Sequence, residues 1–418
     1  MGSPPGAAEL GQEARGERCL RRGRRRAPDV EGRVSGKGSV EEYTNGSGGE
    51  MTVAVIAAEG PGEVKRALDL LGGMGRFVSP GERVLVKPNV CAARPSHSGA
   101  VTDPELVAEV CRLAAAEGAE VAVGDSPIHP FRATRVFPRA GYGDFQERYG
   151  FPMLDLDGEE RVEIRIPWGK AVQHEVVAKP VLECDCLINM PVLKTHLQTV
   201  VSLGLKNIKG VVPGRDKLII HLKGLDEGIV DLNTVIRSRL VVVDGLVGME
   251  GGLGPTNGSP VRVGAIVAGD NVVEVDATCA RIMGLDPRKV AHIRLAAERG
   301  LGRLEGFQVL GEGIERVRKE FELPSHPDLN RLMISGLALR FYDLIRRPLD
   351  RLTGRHLKGR FGEVRLDAGR CDGCRICVKA CPVEAVSMED KLPRIDTGKC
   401  IACFCCAEAC PRGALSRA

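Results

Sequence analysis

The sequence predicts an α/β protein, a mostly parallel sheet covered by helices on both faces, followed by a small α+β module. Three observations carry this. From residue 51 to about 302, short apolar runs alternate with amphipathic helical stretches, the pattern of strand–helix–strand units. The core must be aliphatic, because 43% of the 418 residues are hydrophobic and only 4% aromatic. Nine of the 15 cysteines fall between Cys371 and Cys410, after the alternation has ended.

Residues 53–57, 83–87, 120–124, 186–190, 240–243 and 263–267 read as strands, each short, apolar and rich in Val, Ile or Leu. Such continuously apolar strands belong to a sheet buried on both faces. Residues 62–71 read as a helix with Val64, Ala67, Leu68 and Leu71 on one face. Thr102-Asp103-Pro104-Glu105 reads as a capping box with proline in the first turn, opening a helix that runs to about residue 117. Further helices are expected over 227–237, 273–283 and 288–298. The chain divides into four parts: a tail over 1–50, the α/β domain over 51–302, a helical linker over 303–365 and the cysteine-rich module over 366–418.

Residues 1–50 hold 9 basic and 8 acidic residues and show no helical or strand period. They are expected to be a disordered tail, or an upstream segment that is not translated, since Met51 opens the first strand-like run. The run Arg21-Arg22-Gly23-Arg24-Arg25-Arg26 lacks the apolar stretch an export signal needs. The net charge of +4, from 59 basic and 55 acidic residues, argues against nucleic acid as the main partner. No apolar run reaches the roughly 18 residues of a membrane span. In the linker, residues 332–352 form a basic amphipathic helix candidate, expected to pack its apolar side on a neighbouring domain.

In parallel sheets, ligands sit beyond the carboxyl ends of the strands. Here those ends are polar four times over. They lead into Lys87-Pro88-Asn89, Asp125-Ser126-Pro127, Asn189 with Pro191-Val192-Leu193-Lys194-Thr195-His196, and Asp244-Gly245. Lys206, Lys209, Arg215 and His221 follow nearby. Singly, such residues are turn or cap residues. Jointly, Lys87, Asp125, Lys194, His196 and Asp244 are candidates for a functional rim, and the excess of lysine and arginine fits a phosphate or carboxylate ligand. His196 and His221 with Asp125 are an alternative set for a divalent metal. The glycine-rich stretch 245–258 reads as a flexible connection, with neither phosphate-loop nor dinucleotide spacing. Cys184 and Cys186 read as buried thiols.

The cysteine module carries the most specific signal. Cys371, Cys374, Cys377 and Cys381-Pro382 repeat 29 residues later as Cys400, Cys403, Cys406 and Cys410-Pro411. Three cysteines spaced by two wrap three irons of a cubane, and the fourth of each run reaches the other cluster. Cys371, Cys374, Cys377 and Cys410 are therefore expected on one 4Fe-4S cluster, and Cys400, Cys403, Cys406 and Cys381 on the second. Paired zinc sites are the alternative, but two complete runs ending in Cys-Pro are far more specific to clusters. Cys405 is off register and reads as a spare thiol. Residues 386–388 and 393–396 should form a hairpin between the halves. Thiolates kept for metal imply a reducing compartment, hence a cytoplasmic protein.

Through these two runs the last sixty or so residues resemble bacterial two-cluster ferredoxins. Through Val86-Lys87-Pro88-Asn89, Gly124-Asp125-Ser126-Pro127, Asn189–His196, Leu205-Lys206-Asn207-Ile208-Lys209-Gly210 and Asp244-Gly245, residues 51–300 resemble the prokaryotic domain of unknown function 362. Members of that family often carry a C-terminal ferredoxin module. The resemblance implies an iron–sulfur protein without supplying a substrate. Three functions remain open: an oxidoreductase relaying electrons to the rim, a ferredoxin-type carrier whose α/β domain binds a partner or an anion, and a non-redox enzyme with structural clusters. The expected partners are a redox protein or a small anionic substrate.

Overall fold

A computed structural model describes residues 52–252, 256–324 and 363–417. Expectations for residues 1–50 and 332–352 lie outside the described residues. The strands are β1 (Thr52–Ala57), β2 (Arg83–Pro88), β3 (Glu120–Asp125), β4 (Met153–Asp155), β5 (Arg161–Arg165), β6 (His174–Ala178), β7 (Cys186–Met190), β8 (Val192–His196), β9 (Val200–Val201), β10 (Leu240–Glu250), β11 (Ser259–Gly269) and β12 (Gln308–Gly311). The main sheet runs β12-β1-β11-β10-β7-β2-β3-β4, with β8 paired to β10. All neighbours along this path are parallel except β11, which runs antiparallel to both β1 and β10.

Alternation along the strands sorts side chains onto two faces. Val53, Val55, Leu85, Leu187, Val241 and Val243 enter one core, with residues from helices α5 (Leu225–Val235), α6 (Val272–Ile282) and α7 (Ala291–Glu298). Ala54, Ile56, Val84, Val86, Ile188 and Val242 enter the other, covered by α1 (Val64–Leu70), α2 (Pro104–Ala116) and α3 (Ala133–Ala140). Both cores are aliphatic, as the composition requires, and a sheet with helices on both faces is the observed fold.

Three features differ from the sequence reading. The cap of α2 is Asp103, whose carboxylate accepts the N–H groups of Glu105 and Leu106. Thr102 faces inward instead, donating to the Met190 carbonyl at 2.8 Å. The first part of the stretch 245–258 is strand, because β10 continues to Glu250 with a bulge between Gly245 and Val247 and pairs with β11. The glycines serve close approach there: a Cβ on Gly248 would lie 2.6 Å from the Leu193 carbonyl oxygen. The α/β unit also extends beyond residue 302, since β12 forms the sheet edge beside β1.

The C-terminal module pairs β13 (Val364–Leu366) with β16 (Leu415–Arg417), and β14 (Val386–Glu389) with β15 (Leu392–Ile395). The second pair is the hairpin between the halves. Two single helical turns, Ile376–Lys379 and Cys405–Glu408, start after Arg375 and Phe404, both at positive φ (62° and 53°) and 29 residues apart. The repeat in sequence is thus a repeat in backbone. Leu197, from the α/β domain, packs into the module's apolar core with Phe404, Ala407 and Leu415. Thr256 Oγ1 donates to the Glu408 carbonyl at 3.0 Å, so the module sits on the rim where β8 ends.

Candidate functional site

Between rim and module lies a partly enclosed cavity of about 80 Å³, room for a few water molecules or a small anion. Its α/β walls come from Asn89 and Cys91 after β2, Asp125 and Ser126 at the end of β3, Lys194 on β8, the segment from Ser202 to Gly210, and helix α4 (Asp216–Lys223). The module contributes Cys405 and Glu408.

The floor is a closed polar network. Lys87 is fully buried and donates to Asp125 Oδ1 at 2.7 Å and to the Pro88 carbonyl at 3.0 Å. Asp125 Oδ2 accepts the Val90 N–H at 2.6 Å. Asn207 donates to Asn189 Oδ1 at 2.8 Å and accepts from Asn89 Nδ2 at 2.9 Å. Asn89 Oδ1 accepts in turn from Lys194 Nζ at 2.8 Å, and Lys194 also donates to the Ala100 carbonyl at 2.6 Å. Gly210 is required here: a Cβ would lie 2.6 Å from both Asp125 Oδ1 and Lys87 Nζ. Asp276 on α6 holds the opposite side, accepting the N–H groups of Gly204 (2.7 Å) and Leu205 (2.9 Å) at the start of the turn that carries Lys206 and Asn207.

The cavity is electropositive. Lys194, Lys206, Lys209 and Lys217 line it, against the carboxylates of Asp125 and Glu408, and Asp125 is already paired with Lys87. Burial pushes Lys206 down to about 7, helped by the charges of Lys209 and Lys194. Lys206 keeps some accessible surface, but that surface faces the cavity, with protein packed around it. It has no hydrogen bond or ion pair among the described residues. Lys217 is pushed down to about 8, again chiefly by burial, while donating to Ser126 Oγ and to the Pro127 carbonyl (2.7 Å). Lys209 Nζ stands 2.5 Å from His221 Nε2, and His221 Nδ1 is 3.0 Å from Gln198 Oε1. Burial and the neighbouring lysines hold His221 and His196 well below the ordinary imidazole range, so both are neutral near pH 7.

Of the sequence candidates, Lys194, Asp125, Lys206, Lys209 and His221 meet at the cavity. Lys87 stands behind Asp125 as its ion-pair partner. His196 lies just outside the cavity lining: its Nδ1 accepts the Gln198 and Thr199 N–H groups, and its Nε2 is 3.2 Å from Glu408 Oε1. Asp244 does not line the cavity. It accepts the N–H groups of Asp103 (2.7 Å) and Leu246 (3.1 Å), and burial raises it to about 7. Asp244 thus joins a bulge to the start of α2. Arg215 turns outward toward Glu384 at 3.6 Å. The set His196, His221 and Asp125 does not assemble, since no three His, Cys, Asp or Glu side chains among the described residues converge as a single ion requires. Cys186 is buried and Cys184 half-buried, and burial raises both thiols.

Sequence reasoning missed Lys217, Cys91, Cys405 and Glu408 as parts of the site. Lys217 and His221 are four residues apart on one face of α4, a signal that was available. Cys405 carried another: it replaces Ile376 of the first repeat copy, a break in symmetry that marks the face turned to the cavity.

In the module, Cys371, Cys374, Cys377 and Cys410 line one concavity with Ile376, Met388, Pro393 and Leu415. Cys406 has Cys403, Cys381 and Cys400 as its electrostatic neighbours. Cys381 and Cys410 each accept a backbone N–H at 3.2 Å, from Ala385 and Ala414, at equivalent repeat positions. N–H donors on sulfur suit metal-bound thiolates, and four thiols lining one hollow suit a cubane better than a single ion.

Comparison with known proteins agrees with this geometry. Residues 84–281 match a domain of unknown function (DUF362), and residues 363–411 match a 4Fe-4S dicluster domain. The thylakoid-associated protein sll1697 of Synechocystis sp. is 33% identical over 246 residues, covering 57% of this chain and 74% of the relative. The chain belongs to the DUF362 family. This DUF362 protein carries two 4Fe-4S clusters in its C-terminal module. Among solved structures, the lactate racemase apoprotein of Thermoanaerobacterium thermosaccharolyticum aligns at 13% identity with a TM-score of 0.34, over 56% of this chain and 57% of that one. No helix among the described residues is long and apolar enough to cross a membrane.

Proposed function

We propose that this DUF362 protein is an iron–sulfur oxidoreductase that exchanges single electrons with a small anionic substrate held in the lysine-lined cavity. One observation carries the reading: the helical turn Cys405–Glu408, which bears Cys406, is itself a wall of the cavity. The ligands of the nearer cluster are Cys381, Cys400, Cys403 and Cys406, and those of the farther one Cys371, Cys374, Cys377 and Cys410. When bound, the clusters supply or accept one electron at a time. Lys194, Lys209 and Lys217 bind and orient a carboxylate or phosphate. Lys206, poised near neutrality, holds or gives up a proton at Nζ as the substrate's charge changes. Asp125 and Lys87 fix the floor.

The test is anaerobic purification of the intact protein followed by mass spectrometry of released small molecules, alongside Lys206→Ala and Lys194→Ala. The expected result is an anionic compound that is lost in both variants while iron content stays unchanged. Absence of any ligand, with wild-type electron transfer to protein acceptors in both variants, defeats the proposal in favour of a carrier whose α/β domain only binds a partner.

A further inference from the structure

The internal repeat provides a comparison between the two halves of the module, and the halves have diverged in a directed way. Arg375 in the first copy corresponds to Phe404 in the second, and Asp372 corresponds to Ile401. Arg375 is exposed, whereas Phe404 is 1% exposed beneath the α/β domain. Cys374 is exposed, whereas its repeat equivalent Cys403 is half-buried. Where the module packs on Leu197 of the rim the second copy carries buried Phe404; at the equivalent place the first carries exposed Arg375.

The solvent-facing half is also basic around its thiols. Arg375 and Arg412 line the concavity of Cys371, Cys374, Cys377 and Cys410. Arg370 reaches Gly413, and the Lys391 backbone lies against Gly373, next to Cys374. All four side chains belong to exposed residues. The opposing Asp372 is neutralised locally, 3.2 Å from Arg412 Nε and accepting the Cys374 N–H at 3.2 Å. Arg375 occupies a left-handed backbone position (φ 62°), uncommon for a residue with a side chain, and lines the concavity together with the exposed Cys374.

We propose that this face is the electron port of the protein, docking a separate, acidic one-electron carrier protein on Arg370, Arg375, Lys391 and Arg412. One electron leaves the reduced carrier and is gained by the cluster on Cys371, Cys374, Cys377 and Cys410; no bond is made and no proton moves. The second cluster then stands between port and cavity. The inference rests on the cluster assignment above. Its test reads cluster reduction without any substrate, so its outcome is separate from that of the cavity.

The experiment is stopped-flow reduction of the intact, cluster-loaded protein by reduced flavodoxin, an acidic probe, followed by bleaching of the cluster absorbance. The expected second-order rate falls as salt rises, and falls about tenfold or more in the double variant Arg375→Glu/Arg412→Glu at low salt. Arg370→Glu/Lys391→Glu is the second test if the first pair loses iron. Reduction by photoreduced deazaflavin, a small uncharged donor, should be unchanged in the same variants. Lys399→Glu, the repeat equivalent of Arg370, should leave the flavodoxin rate within about twofold of wild type. Equal flavodoxin rates in wild type and charge-reversed protein, a rate that rises with salt, or an equal loss in Lys399→Glu would each overturn the port.

Discussion

Replacing Lys206 by methionine should make the ligand-free protein more stable while abolishing anion binding. The ammonium is surrounded by protein and by Lys194 and Lys209, and its pKa falls from an ordinary 10.5 to about 7. Each unit corresponds to about 1.36 kcal/mol, so the ceiling on the cost of the charged form is about 5 kcal/mol. Water in the cavity and the Glu408 carboxylate reduce this, and about 2 kcal/mol is the working expectation. The sign follows from linkage. A lysine with a depressed folded pKa is penalised fully below about pH 7, and the penalty fades as pH rises from 7 toward 10.5, where the unfolded chain also loses its proton. Lys206→Met should therefore raise the melting temperature by about 2 °C at pH 6, with a smaller gain at pH 9. The assay is anaerobic calorimetry of the cluster-loaded protein with and without inorganic phosphate. Phosphate should stabilise the wild type and leave the variant unmoved. A variant that is less stable than wild type at both pH values would refute the reasoning, because Lys206 would then be a structural contact.

Two further outcomes follow from the geometry. Gly210→Ala would drive a methyl group to 2.6 Å from Asp125 Oδ1 and Lys87 Nζ, and should cost about 1–3 kcal/mol and weaken phosphate stabilisation, both read from the same melting curves. Cys405→Ser should retain the full iron content of about eight atoms per chain, whereas Cys406→Ser should lose one cluster's share, as measured by iron analysis.

The parts of the structure legible in the sequence are those whose determinants are local. The cysteine runs are one such part, because loop geometry around a cubane fixes the spacing regardless of the rest of the chain. The strands β2, β3 and β7 are another, because burial on both faces forces continuous apolar runs. The rim was half legible. Asp125 stands at the end of β3, and Lys194 lies on β8, the short strand that follows the end of β7, so topology alone brings them together. Asp244 stands at a strand position of the same kind and yet belongs to a bulge, because β10 continues through it to pair with β11. Lys217 and Glu408 were beyond reach as a pair: one lies on α4 and the other in the module, and only docking through Leu197 makes them walls of one cavity. The glycines of 245–258 misled for a physical reason, since close backbone approach in a long hairpin needs the same residue as a flexible loop.

The lysines and the nearer cluster belong to one electrostatic arrangement. A 4Fe-4S cluster with four thiolates is an anion that becomes more negative on reduction. Lys209 feels the sulfur atoms of Cys405 and Cys403 directly, and Lys206 stands beside it. Positive charge on one side of the module stabilises the reduced form of the cluster it faces, and net charge and hydrogen bonding are the levers that set such potentials. The farther cluster faces solvent at Cys374, where water screens the arginines around it. An electron arriving there finds a more favourable place on the cavity side, until an anion neutralises the lysines and removes the preference. Under the proposed function, anion occupancy of the cavity would shift the distribution of electrons between the two clusters, which a neutral cavity in the same position would not do.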